Sequence, residues 1–286
     1  MSKHNSRRRP SYADFGQDNR ERIHAKKGLG QHFLTDPNIL QKIVGAAEVQ
    51  PGDIVLEIGP GLGHLTRALL AAGARVVAVE LDLDLAAQLR VEQTGNSNLA
   101  VVEGDFLVAA PQEWLRRGGI ETSTYKVVAN LPYYITSAIL RHLLEAELQP
   151  AVIVVMVQRE VAQQMTAQPP DMSLLAVSVQ FYGRPRSMGV VPAGAFTPRP
   201  QVDSAIVRIA VTPPSRFPDI PPRRFFEIVR AGFGMRRKQV HNALQRGLGR
   251  NEFEVGTRLA RAGIDPRRRA ETLSLDEWRR VYDQFQ

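Results

Sequence analysis

The chain has 286 residues, 43% of them hydrophobic, and 37 Lys and Arg against 29 Asp and Glu, for a net charge of +8. That suits one large domain, or a medium one with a small appendage, and the lack of cysteine excludes disulfides, thiolate nucleophiles and zinc–cysteine sites. No apolar run approaches the roughly 20 residues that span a bilayer and the six histidines show no paired ligand spacing, so a soluble, cytoplasmic, metal-free protein is expected, with a monomer as the default.

Charge is unevenly placed. Residues 1–27 carry a net +5 and residues 213–286 a net +7, around a middle stretch of −4. Two basic flanks around an acidic middle point to a polyanionic partner, although solvated basic tails are a standing alternative for either flank alone.

In chain order, residues 1–26 read as a basic, disordered tail. The strip Gly28 to Leu34 precedes Thr35-Asp36-Pro37, where a helix begins; it suits a lid over a ligand as well as an ordinary helix lead-in. From Ile54 to about Val157, β-branched runs alternate with helical patterns, the signature of βαβ units and a parallel sheet. Strands are expected at Ile54 to Ile58, Arg75 to Glu80, Leu99 to Gly104, Lys126 to Ala129 and Ala151 to Val157. Helices begin near His64, Asp82, Pro111 and Thr136 and at Gln158. Antiparallel strands around Ser187 to Val191 and Ser204 to Val211 complete a seven-stranded sheet. The proline-rich stretch Pro213, Pro214, Pro218, Pro221 and Pro222 reads as a linker, and short helices follow at Arg223 to Phe233, Arg237 to Arg246, Glu252 to Ala262 and Leu275 to Phe285. The fold class is therefore α/β, a Rossmann-like, mostly parallel sheet over 27–212 with a small all-helical C-terminal domain over 213–286.

The first strand runs into Gly59-Pro60-Gly61-Leu62-Gly63, a turn that lets the backbone pass close under a ligand before a helix. A dinucleotide fingerprint wants its third glycine where this chain has His64. Glu80 ends the second strand, where an acid can accept from ribose hydroxyls, and Asp105 follows the third, beside Phe106, where it can accept from an adenine amino group. An adenosine carrying no phosphate, as in S-adenosylmethionine, suits this acid-rich pocket; NAD is the second choice.

The fourth strand ends in Asn130-Leu131-Pro132-Tyr133. An exocyclic adenine amine is a poor nucleophile because its lone pair is delocalised into the ring. Accepting its two N–H groups on the Asn130 side-chain oxygen and the Leu131 carbonyl favours a pyramidal nitrogen. Pro132 stiffens the turn, and Tyr133 can stack on a base taken out of its helix. A buried turn without chemistry is the alternative. Phe196 between prolines reads first as core packing, and Arg236, Arg237, Lys238 and Arg267 to Arg269 as phosphate contacts or as surface charge.

These residues resemble the ribosomal RNA adenine dimethyltransferases, in particular those acting on small-subunit (16S) rRNA. The resemblance covers nearly the whole chain from Lys26. It rests on Lys27 to Leu34, Glu57 to Gly63, Glu80, Asp105, Asn130 to Tyr133, Phe196-Thr197-Pro198-Arg199-Pro200 and Val202-Asp203-Ser204. It implies cofactor contacts at His32, Leu34, Gly59, Glu80, Asp105 and Asn130, and target-base contacts at Asn130 to Tyr133 and Phe196. Positions 32 and 134 are often asparagine in the family and are His32 and Tyr134 here. The activity implied is dimethylation of two adjacent adenines in the 3′-terminal hairpin of 16S rRNA, late in subunit assembly. A 23S rRNA methyltransferase of the macrolide-resistance type and a catalytically silent RNA-binding assembly or transcription factor remain competing readings, with a nicotinamide oxidoreductase third.

Overall fold

The computed structural model describes residues 31–286; the tail read over 1–26 and the glycine strip up to Gly30 lie outside them. Five parallel strands, β2 (Ile54–Ile58), β3 (Arg75–Glu80), β4 (Leu99–Glu103), β5 (Lys126–Asn130) and β6 (Val152–Gln158), form most of a seven-stranded sheet. β7 (Gly183–Val191) and β9 (Ser204–Val211) complete it in the order β4-β3-β2-β5-β6-β9-β7, with β9 antiparallel to both neighbours. The chain leaves β2 for β3 and β4 on one side, then returns to β5 on the other. That reversal opens a crevice at the carboxyl ends of β2 and β5, where doubly wound sheets bind ligands.

Both faces of the sheet are covered, which is why its strands are β-branched runs and not alternating patterns. Val55, Val76, Ala78, Val128 and Val154 pack with α1 (Pro37–Ala46), α2 (His64–Ala71) and Leu89 of α3 (Leu83–Glu92). Leu56, Val77, Val79, Val127 and Val155 point the other way, toward α4 (Pro111–Arg117), α5 (Thr136–Leu144), α6 (Arg159–Thr166) and α7 (Leu174–Tyr182).

No helical period in the sequence marks α7. Its segment is apolar almost all round, with Ala176, Val177, Val179, Phe181 and Tyr182 buried, so it shows no polar face to reveal a helical period. Ser173 caps it, accepting from Ala176 N at 3.0 Å. The reason for so much burial is a second layer: α8 (Pro222–Phe233), α9 (Val240–Leu248), α10 (Glu252–Arg261) and α11 (Leu275–Phe285). Phe181 stacks on Phe225 with ring centroids 4.7 Å apart and meets Phe226 edge-on at 5.1 Å. The core of the C-terminal helices is thereby continuous with that of one sheet face. The proline-rich connection is tied to α7 as well, Thr212 N donating to Tyr182 O at 2.8 Å and Arg216 N to Phe181 O at 2.9 Å.

Two starts and one ladder differ most from expectation. β7 begins at Gly183, not Ser187; it lies at the sheet edge, where Pro185 costs no interior ladder bond. α9 begins at Val240, not Arg237, because Val240 N donates to Arg268 O at 2.7 Å, a long-range contact that leaves Arg236, Arg237 and Lys238 exposed in the preceding turn. A two-stranded ladder absent from the sequence reading joins β1 (Phe33–Leu34) to β8 (Phe196–Thr197), with Leu34 opposite Phe196. Among the described residues no helix is long and apolar enough to cross a membrane.

Phe181→Ala should therefore lower stability by about 3–5 kcal/mol within a single cooperative urea transition. A loss below about 1 kcal/mol, or a separate transition for the C-terminal helices, would contradict the shared core.

Candidate active site

The crevice is a cleft of about 1170 Å³, counting the space open to solvent. The turn after β2 forms its floor. Gly59, Gly61 and Gly63 have φ of 68°, 57° and 72°, a region costly for residues with a Cβ. A Cβ at Gly61 would also lie 3.1 Å from the Phe33 ring, so β1 can cross the turn only over glycine.

Glu80, at the end of β3, is 6% exposed. Its two oxygens accept from Gly61 N at 3.0 Å and Asp82 N at 2.9 Å, so the acid holds the turn in place and keeps lone pairs for a ligand. Burial raises its pKa above the usual carboxylate value against these hydrogen bonds. Asp105 is exposed at the cleft mouth and accepts from Leu107 N at 2.9 Å. Behind it Phe106 is wedged between Trp114 and His142.

Asn130, the last residue of β5, donates its Nδ2 to the His32 carbonyl at 3.0 Å. Only the amide nitrogen can donate to a carbonyl, so the amide orientation is determined and Oδ1 is left as the acceptor. Tyr133 is anchored at its hydroxyl by Ser204 Oγ, 2.8 Å away, and its ring lies 6.1 Å from that of His32 at an interplanar angle of 25°. His32 Nδ1 is 2.8 Å from Pro198 O, a pairing that requires the proton on Nδ1. Residues 31–34 thus form a strap across the cleft, held by Pro198 and β8 on one side, by Asn130 beneath, and by Gln31 Nε2 donating to Asp82 Oδ2 at 3.1 Å.

His32, Leu34, Gly59, Gly61, Glu80, Asp105 and Asn130 to Tyr133 all line this cleft. Phe196 does not; it is 4% exposed and packs behind the wall, paired with Leu34. Arg236, Arg237 and Lys238 lie apart from the cleft on the exposed turn between α8 and α9. Of the other arginines read as phosphate contacts, Arg268 is engaged by Glu277 at 2.5 Å, and Arg267 and Arg269 lie 3.4 and 3.7 Å from Asp265 and Glu271.

The site selection from sequence omitted Phe33, His64 and Glu57, which also line the cleft. Glu57 is the most consequential of them: it is 1% exposed, and the Thr66 hydroxyl beside its carboxyl, which favours the charged form, is outweighed by that burial. Burial, with a further contribution from the neighbouring Glu80, pushes its pKa up to about 8. Its sequence signal was a lone acid inside the apolar strand Ile54-Val55-Leu56-Glu57-Ile58. His64 is shifted the other way, toward the neutral ring, by burial and then by Arg67. In sum, three carboxyl groups line the cleft and no Lys or Arg among the described residues does.

Because Glu57 and Glu80 both titrate above their ordinary value of 4.5, the folded state retains protons that the unfolded chain has released. Stability then falls as pH rises from about 4.5 to about 8. Glu57→Gln should flatten this fall in the melting temperature of the protein without ligand; an unchanged slope would contradict the buried acid.

The sequence matches the family model for ribosomal RNA adenine dimethylases over residues 22–286. It is 50% identical over 257 residues to a Ribosomal RNA small subunit methyltransferase A of Dehalococcoides mccartyi, covering 90% of this chain and 87% of that one. A protein of the same name from Moorella thermoacetica is 45% identical over 261 residues, with 88% and 90% covered. Among solved structures, a dimethyladenosine transferase from Plasmodium falciparum superposes with a TM-score of 0.71 at 25% identity, over 87% of this chain and 96% of that chain. The 23S rRNA methyltransferase ErmE superposes with a TM-score of 0.69 at 29% identity, over 88% and 98%. With a cleft of this lining and a family match over nearly its whole length, the chain belongs to the ribosomal RNA adenine dimethylases.

Proposed function

We propose that this chain uses S-adenosylmethionine to dimethylate the N6 amino groups of two adjacent adenines in the 3′-terminal hairpin loop of 16S rRNA, in the cytoplasm, as a late step of ribosome assembly. The observation that carries the cofactor is the charge of the cleft: three carboxyl groups without an opposing Lys or Arg suit a cationic, phosphate-free ligand and oppose a dinucleotide pyrophosphate. The small-subunit substrate is supported by relatives at 45–50% identity bearing the small-subunit name, against 29% for the 23S enzyme.

S-adenosylmethionine, when bound, supplies a methyl group on a positively charged sulfur. In this reading Glu80 accepts from its ribose hydroxyls and Asp105 from its adenine amino group, while the backbone at His32, Leu34, Gly59 and Gly61 closes around it. Asn130 Oδ1, turned outward by the Nδ2 bond to His32, accepts one N–H of the target amine and the Leu131 carbonyl the other. Two fixed acceptors hold the nitrogen pyramidal and its lone pair aimed, so that catalysis is alignment plus electrostatics. Tyr133, held by Ser204, offers its face to the extruded base. Phe196 supports that stack from behind the strap. Residues 27–212 form the cofactor-binding unit and 213–286 a helical RNA-binding unit, in which Arg236, Arg237 and Lys238 contact phosphates without reading bases. A single chain carries every group named.

Asn130→Ala should abolish methyl transfer to unmodified small subunits while leaving RNA affinity within about twofold, since Asn130 contributes no phosphate contact. Filter binding and transfer of a labelled methyl group measure the two quantities separately. Transfer equal to wild type would refute the role.

A further inference from the structure

We propose that Glu57 senses the charge of the cofactor: its carboxyl is protonated in the free protein and releases that proton to solvent when a cationic ligand enters the cleft, favouring the sulfonium cofactor over its neutral thioether product. The inference rests on the cofactor reading above.

The geometry has two parts. Glu57 sits on β2 opposite Ala78 of β3 and Val128 of β5, at the centre of the sheet and below the glycine turn. It is 1% exposed, lines the cleft, and has the uncharged Thr66 hydroxyl as its side-chain hydrogen-bond partner. A carboxylate so placed would be a buried charge without a counterion, which proteins avoid by neutralising the group.

The ionisable surroundings reinforce this. Glu80 from β3 opposes a second negative charge, with Asp82 beyond it and Asp105 following β4. From α2 come His64, held toward its neutral form, and Arg67. The Arg67 guanidinium is engaged at 2.9 Å by Glu92 and at 2.9 Å by the Leu62 carbonyl. Thr66, also on α2, offers the carboxyl its hydroxyl, a polar partner without charge. Neighbouring β5 brings Asn130, which is uncharged, and the strap brings Gln31 and His32.

A positive ligand supplies the missing counterion, so the carboxyl O–H bond breaks and the proton passes to the buffer. With a pKa of about 8 in the free protein, binding near neutral pH is coupled to nearly a whole proton. Affinity for the cation then rises with pH, by at most about tenfold per unit. After transfer the ligand is a neutral thioether; Glu57 recovers a proton and the product loses a favourable partner.

Isothermal titration calorimetry of the full chain with S-adenosylmethionine and with S-adenosylhomocysteine, in buffers of different ionisation heat, counts the protons. Near pH 7 the expected result is a release approaching one for the sulfonium and markedly less for the thioether. In Glu57→Gln the difference in proton count should disappear and the affinity gap between the two ligands should narrow, with Glu80 and Asp105 still in the cleft. Equal proton counts for the two ligands in the wild type overturn the proposal, and so does a difference that persists in Glu57→Gln. If that variant does not fold, the wild-type contrast still decides. Absence of any binding by S-adenosylmethionine would instead defeat the cofactor reading.

Discussion

Charge separation organises this molecule. A chain with 37 basic side chains keeps every described one out of the cleft at the carboxyl ends of its strands and directs three carboxyl groups into it. Strand order makes this possible. The reversal between β2 and β5 leaves a crevice, and residues at the strand ends, Glu80 and Asn130, or just past them, Gly59 and Asp105, become its lining without any of them having to project far. Glu80 shows how binding and architecture share a group: the acid available to a ligand also holds the Gly61 and Asp82 amides.

The second constraint is the strap over the cleft. Asn130 cannot turn its amide, because the His32 carbonyl takes the nitrogen; His32 cannot leave, because Pro198 takes its ring nitrogen. Tyr133 is fixed from behind by Ser204. Segments far apart in sequence therefore meet at one small region between the cofactor cleft and the place proposed for the base. Precise alignment of an unreactive amine needs such over-determination, since small displacements of reacting groups are costly.

How much of this was legible beforehand follows from where the information lies. The parallel strands and the glycine turn are local signals, and the observed strands match them within a few residues. The Asn130 turn was recognisable because a polar residue and a proline interrupt an apolar strand. α7 was not, because a helix that is apolar almost all round has no polar face to betray its period. β1 and β8 were not either: each is two residues long and exists only through its partner. The lead-in to α9 looked helical from its composition, yet the Val240 bond to Arg268 sets the start. Glu57 stood in plain view inside a motif, but its near-complete burial is a property of three dimensions.

The central claim is a substrate, and mass mapping of modified nucleotides tests it most directly. Small and large ribosomal subunits lacking adenine dimethylation would be incubated with this protein and labelled S-adenosylmethionine, and the modified positions identified. Dimethyladenosine is expected at two adjacent adenines of the 3′-terminal hairpin of 16S rRNA, with none in the large subunit. Label in 23S rRNA, or in neither subunit, would contradict it.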